Sequence, residues 1–177
     1  IKCHKDIPHR TKDKKIYRPF KTLIEKAILN VPEKTGWYCW VDNRSGTIPV
    51  YIGKSDANTT YNLYKRIEEE LAEEYVVLWA TIYDEKEMVD TFNNKYNNKY
   101  INNNARAVKK KGVTHVFWVS TNEPLNKLEI EAIESKLIQH FNPAANKQRK
   151  NSTQPNEQLY NAVLNHFNKQ LSEIKES

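Results

Sequence analysis

The chain has 177 residues, enough for one domain with a real core and short extensions. Its formal charge of +6 admits a polyanionic partner, and four Trp, ten Tyr and five Phe supply bulky core material despite modest apolar content. No run reaches the length of a membrane span, no signal-peptide pattern opens the chain, and two cysteines do not make a disulfide framework, so a reducing cytoplasm is the expected setting. The chain opens on Ile rather than Met, so residues before it are expected.

Residues 1–18 are rich in Lys and His without periodicity and read as an arm. Pro19 opens a helix to about residue 30, with Leu23, Ile24, Ala27 and Ile28 on one side, and Val31-Pro32 ends it. Strands are predicted at 37–42 and 49–54, joined by turn chemistry at 43–46. A polar loop at 55–60 leads into a helix at about 61–74, and 76–83 reads as a strand. An Asn/Lys-rich insertion follows at about 84–111, with Met88, Phe92 and Tyr96 at helical spacing before "NNKYNNKY". Residues 113–120 alternate as a strand, 125–141 as a strong helix, and 157–174 as a last amphipathic helix after a polar linker.

Strands close in sequence need no crossover. The expected fold is therefore α/β (α+β): a small antiparallel or mixed central sheet with helices packed on it, and extra helices at both ends and in the insertion. The expected division is an N-terminal arm and helix (1–35), a core (36–147) and a C-terminal linker and helix (148–177).

Three features are candidates for a site. In "LNKLEIEAIESKLIQHF", a rotation of about 100° per residue gathers Ile130, Ile133, Leu137, Ile138 and Phe141 on one side. Glu134 falls inside that stripe, and a carboxylate on a core-facing side needs a cation, hydrogen bonds or a metal. A structural ion pair or a slightly rotated helix fits the same pattern. In "GWYCWVDNRSGTIPVYIGKS", a four-residue loop would pair Asp42 with Thr47 and set Tyr38 opposite Tyr51, both phenols leaving one face. Paired Tyr residues are also ordinary sheet packing. Gly53 reads as a bulge, a strand end or a place of close approach. Arg66 lies beside the Leu63, Ile67, Leu71 stripe, where a solvated Arg is common too.

Tyr38, Tyr51, Gly53, Arg66, Glu134 and Asn146, in this order, resemble the GIY-YIG nuclease superfamily of repair, homing and restriction endonucleases. The first element reads Gly36-Trp37-Tyr38 and the second Tyr51-Ile52-Gly53-Lys54. "ESKLIQHFNPAAN" is similar to the family's Glu-x-x-Leu-Ile run ending in Pro-x-x-Asn. The resemblance covers about residues 36–146. It implies a three-stranded antiparallel sheet and hydrolysis of a DNA phosphodiester with Mg²⁺ (Mn²⁺ as a substitute) on Glu134. Arg66 would hold the phosphate, Tyr38 or Tyr51 would serve as base, Lys54 would assist, and Asn146 would fix the chain after the helix. Trp37 stands where the family has Ile, and the loop from Gly53 to Arg66 is longer than usual. Four residues after Arg66, where many members carry His or Tyr, this chain has Glu70; Tyr61, Tyr64, Tyr75 or Glu70 itself could take that place.

Arg106 and Lys109, Lys110 and Lys111 are the expected phosphate-contact run. Cys3, His4 and His9 lack a completing metal ligand, His115 shares a strand face with Phe117, and His140 sits at a helix end. The expected activity is a restriction-type endonuclease on double-stranded DNA, with no membrane partner and a homodimer for double-strand cleavage. The rivals are a weakly specific phage or effector DNase and a non-catalytic nucleic-acid-binding protein.

Overall fold

The computed structural model describes residues 28–43, 46–72, 114–143, 146 and 153–176, without the side chains of 69–72. The strand expected at 76–83, Tyr75, the insertion with Arg106 and Lys109 to Lys111, the Cys3, His4 and His9 group, and the 19–30 helix apart from a turn at 28–30 all lie outside these residues.

The elements are β1 (Thr35–Asp42), β2 (Ile48–Ser55), α1 (Leu63–Ala72), β3 (His115–Thr121), α2 (Lys127–Phe141) and α3 (Glu157–Lys175). The strands form one antiparallel sheet in the order β2-β1-β3. The general architecture expected from the sequence, a small antiparallel sheet with helices packed on it, is the one that forms. Among the described residues no helix is long and apolar enough to cross a membrane.

β1 is the central strand, and its side chains alternate between two buried faces. Trp37, Cys39 and Val41 point to one face. There they join Ile52, Phe117 and the apolar stripes of α2 and α3 in a single cluster. The Trp37 indole N–H, which needs an acceptor once buried, donates to the Ile130 carbonyl at 3.1 Å and so ties α2 to the sheet. Tyr38 and Trp40 point to the other face. α1 packs on that side. A side chain added at Gly36, which shares the parity of Tyr38, would run into Leu63 of α1 and the Val119 carbonyl.

α3 is part of the same core. Val163 and Phe167 are buried in the cluster, and Phe167 meets Phe117 edge-on at 4.9 Å and stacks on Phe141 at 5.9 Å. Asn43, just past β1, donates from Nδ2 to the Ile174 carbonyl at 2.9 Å, which fixes the far end of α3.

Caps set the helix bounds. The Asn126 side chain accepts from the Glu129 N–H while the Glu129 carboxylate accepts from the Asn126 N–H, a capping box that starts α2 two residues after the expected Leu125. Leu125 is instead a core residue of the preceding segment. Asn142 ends α2 in the left-handed region at φ 45°, and its N–H returns to the Ile138 carbonyl. Asn62 caps α1 through the Lys65 N–H, so α1 begins at Leu63 rather than 61.

The hairpin register corrects an expectation. Tyr38 pairs with Gly53, not Tyr51; Trp40 pairs with Tyr51 and Asp42 with Ile48. Two local causes add up. Thr47 stays in the loop because its hydroxyl donates to the Asn43 side-chain oxygen at 2.7 Å. Then the pairing skips Val50, because the register shifts between Trp40 and Val41. One extra loop residue plus one bulged residue moves the register by two. From Tyr51 onward the shift is even and keeps side chains on their faces, so Tyr38 and Tyr51 still share one.

Candidate active site

The new register seats the Tyr38 ring on Gly53. A Cβ at Gly53 would collide with Cζ and the hydroxyl of Tyr38, so glycine is required there by the ring lying over its backbone. Tyr51 becomes the diagonal neighbour, with ring centroids 6.2 Å apart and planes tilted by 45°. Tyr38 is 1% exposed, while Tyr51 is half-buried. On the other side of β1, Trp118 of β3 pairs with Tyr38, so the phenol is flanked by glycine and by tryptophan. Sequence reasoning missed Trp118, because no local signal announces a pairing 80 residues away.

Asn146 closes the outer edge of β2. Its Oδ1 accepts from the Ile52 N–H at 2.7 Å and its Nδ2 donates to the Ile52 carbonyl at 2.8 Å. An amide side chain thus supplies both bonds of a missing neighbour strand at the residue between Tyr51 and Gly53. These two bonds tie the chain beyond α2 to β2.

Glu134 lies on α2 and is 8% exposed, amid buried Ile130, Ile133, Leu137 and Ile138. Its inward placement is as the helical angle required. Glu131, one turn earlier, pairs with Lys54 of β2 at 3.4 Å. The ridge Glu131, Glu134, Ile138 therefore runs beside β2: Lys54 anchors its start and Asn146, just past the helix, anchors the chain beyond its end. Lys54, expected to assist the phenol or the phosphate, has Glu131 as its carboxylate. Sequence reasoning gave Glu131 no role.

Arg66 sits on α1, on the phenol side of the sheet, with its guanidinium carbon 5.4 Å from the Tyr61 ring centroid. Leu63 and Ile67, three before and one after it, are fully buried and hold the helix down. The Leu63 and Tyr64 N–H groups donate to the Lys34 and Pro32 carbonyls, which anchors the first turn of α1 beside the start of β1. Glu70 is on α1, with its side chain outside the described residues.

Two histidines have plain structural surroundings. His115 Nδ1 lies 2.9 Å from the Thr114 hydroxyl, and His140 meets Phe141 edge-on at 4.7 Å. Cys39 is fully buried and burial pushes its thiol well up, which makes it an inert core residue.

Among the described residues no three His, Cys, Asp or Glu side chains gather into a cluster. Glu134 is a single carboxylate donor on an otherwise apolar stripe. Mg²⁺ keeps several waters and takes one or two carboxylates plus substrate phosphates, so Glu134 by itself could supply one ligand and no more.

No family model, no curated protein and no solved structure matches this chain.

Proposed function

We propose that this protein is a GIY-YIG-type endonuclease that hydrolyses phosphodiester bonds in double-stranded DNA, of the restriction type. The observation that carries the reading is the Tyr38 phenol seated on Gly53 with Tyr51 diagonal to it. Aromatic rings also cover cross-strand glycines in ordinary sheets, so the two phenols on one face matter more than the glycine alone. The order Tyr38, Tyr51, Gly53, Arg66, Glu134, Asn146 supports it further; Glu134 itself lies on α2, which packs on the opposite face of β1 from the phenols.

The chemistry follows from these groups. A phosphodiester resists attack because it is anionic and its leaving alkoxide is poor. Arg66 binds the phosphate oxygens and offsets the charge that builds on them. One tyrosine of the Tyr38–Tyr51 pair, as the phenolate, takes a proton from the attacking water, whose oxygen bonds to phosphorus as the ester P–O bond breaks. The proton taken from water passes through solvent to the leaving alkoxide, and the tyrosine returns to phenolate, which balances the hydrolysis. Glu134 would hold Mg²⁺, which when bound neutralises a phosphate oxygen and steadies the leaving oxygen. Asn146 keeps the Tyr51–Gly53 stretch of β2 in place. One such centre cuts one strand, so cutting both calls for a homodimer or a second encounter.

The test is cleavage of supercoiled plasmid by wild type and by Glu134→Ala, with Mg²⁺ (or Mn²⁺) and with EDTA. Nicking or linearisation by wild type with the metal alone is the expected result, and discrete bands are expected of a restriction-type enzyme. A wild type that shifts DNA on a gel and cuts no sequence tried would replace this reading with that of a binding protein.

A further inference from the structure

Tyr61 is half-exposed (48%), yet its backbone is fixed on every side. The Asp56 N–H donates to the Tyr61 carbonyl at 3.0 Å, and the two residues form an isolated antiparallel bridge that closes the turn at 56–61. Inside the turn, the Asn58 N–H donates to the Asp56 carboxylate at 2.9 Å and the Thr59 hydroxyl donates to the Asp56 carbonyl at 2.7 Å. From outside, the Ala57 N–H donates to the Thr35 hydroxyl at 2.9 Å and the Asn58 amide donates to the Leu125 carbonyl at 3.2 Å. The turn is thus bolted to β1 and to the segment before α2. Asn62, the next residue, caps α1. This is the stretch that is longer than usual between Gly53 and Arg66, and its order puts one aromatic ring in a set place.

That place is beside the Arg66 guanidinium, 5.4 Å from the ring centroid and within the range of a cation–ring attraction. A ring face orients a guanidinium differently from a carboxylate. The ring holds the cation through its quadrupole and adds no negative charge of its own.

We propose that Tyr61 is a positioning residue for Arg66, and that the 56–61 turn exists to hold its ring there so that the guanidinium meets a DNA phosphate in a fixed orientation. The inference rests on the reading of Arg66 as the phosphate-binding group of a nuclease.

The experiment is a double-mutant cycle on a DNA duplex: wild type, Tyr61→Leu, Arg66→Ala and the double variant. Affinity is measured in EDTA, where cleavage is off, and single-turnover cleavage in Mg²⁺. Tyr61→Leu is expected to weaken binding and slow cleavage about two- to fivefold, the scale of an exposed cation–ring contact. It is expected to add nothing on the Arg66→Ala background, and Tyr61→Phe, which keeps the ring, is expected to restore the loss. Thermal unfolding of each variant separates this from a loosened turn. Wild-type affinity and rate in Tyr61→Leu, or the same loss with and without Arg66, would overturn the proposal. A protein that binds DNA without cutting it would remove the nuclease reading while the affinity cycle still decides on Tyr61. One that binds no DNA would remove both.

Discussion

The two faces of the sheet make the instructive comparison. Both are closed to water along β1, yet they are closed by different rules. Under Trp37, Cys39 and Val41 lie α2 and α3, and the contacts are apolar surfaces fitted by volume. On the opposite face lie Tyr38, Trp40, Tyr51 and Gly53, with α1 above, and the contacts depend on particular groups. A leucine can stand for an isoleucine on the first face with small loss. On the second, one methyl group at Gly53 has nowhere to go. A single eight-residue strand serves both faces because its side chains alternate.

The comparison breaks hardest on the apolar side. Phe167 is fully buried between Phe117 and Phe141, so Phe167→Ala should cost about 3–5 kcal/mol of stability. Denaturant unfolding would measure it, and a loss below about 1 kcal/mol would mean that α3 is an appendage and not part of the core. On the phenol side, Gly53→Ala should cost about 1–3 kcal/mol by overpacking, and it should lower DNA cleavage by more than its stability loss explains, because the Tyr38 ring must shift. Equal activity per folded molecule would show that the Tyr38 position is not part of the site. The smallest effect belongs to the edge between the faces. Asn146→Ala removes two hydrogen bonds to Ile52, each worth about 0.5–1.5 kcal/mol net, though water can reach the exposed edge and replace part of them. Hydrogen exchange at the Ile52 amide should speed up selectively, and unchanged protection there would remove the positioning role of Asn146.

Much of the arrangement was legible in the chain. The helix spacing of Ile130, Ile133 and Leu137 is a local property, so the inward angle of Glu134 followed from it directly. The aromatic and β-branched run at 37–42 and the alternation at 113–120 likewise announced strands, and the shared face of Tyr38 and Tyr51 survived a wrong register because the error there was an even number of residues. Register itself was not legible. It depended on a hydroxyl bond from Thr47 to Asn43 and on the skipped Val50, and neither leaves a mark in hydrophobic pattern. The same holds for Trp118 beside Tyr38, for Glu131 on Lys54 and for the ring of Tyr61 by Arg66.

By itself the sequence determined what short-range physics controls: the type and approximate extent of the described strands and helices, the buried side of α2 and the residue types able to handle a phosphate. Tertiary structure alone decided which groups meet. That includes the glycine beneath Tyr38, the amide that completes the edge of β2, and the packing of α3 into the central core. Such meetings depend on residues tens to more than a hundred positions apart, and no local periodicity encodes them. They are settled only when burying the apolar face of the sheet selects one register and one packing from the many that local preferences allow.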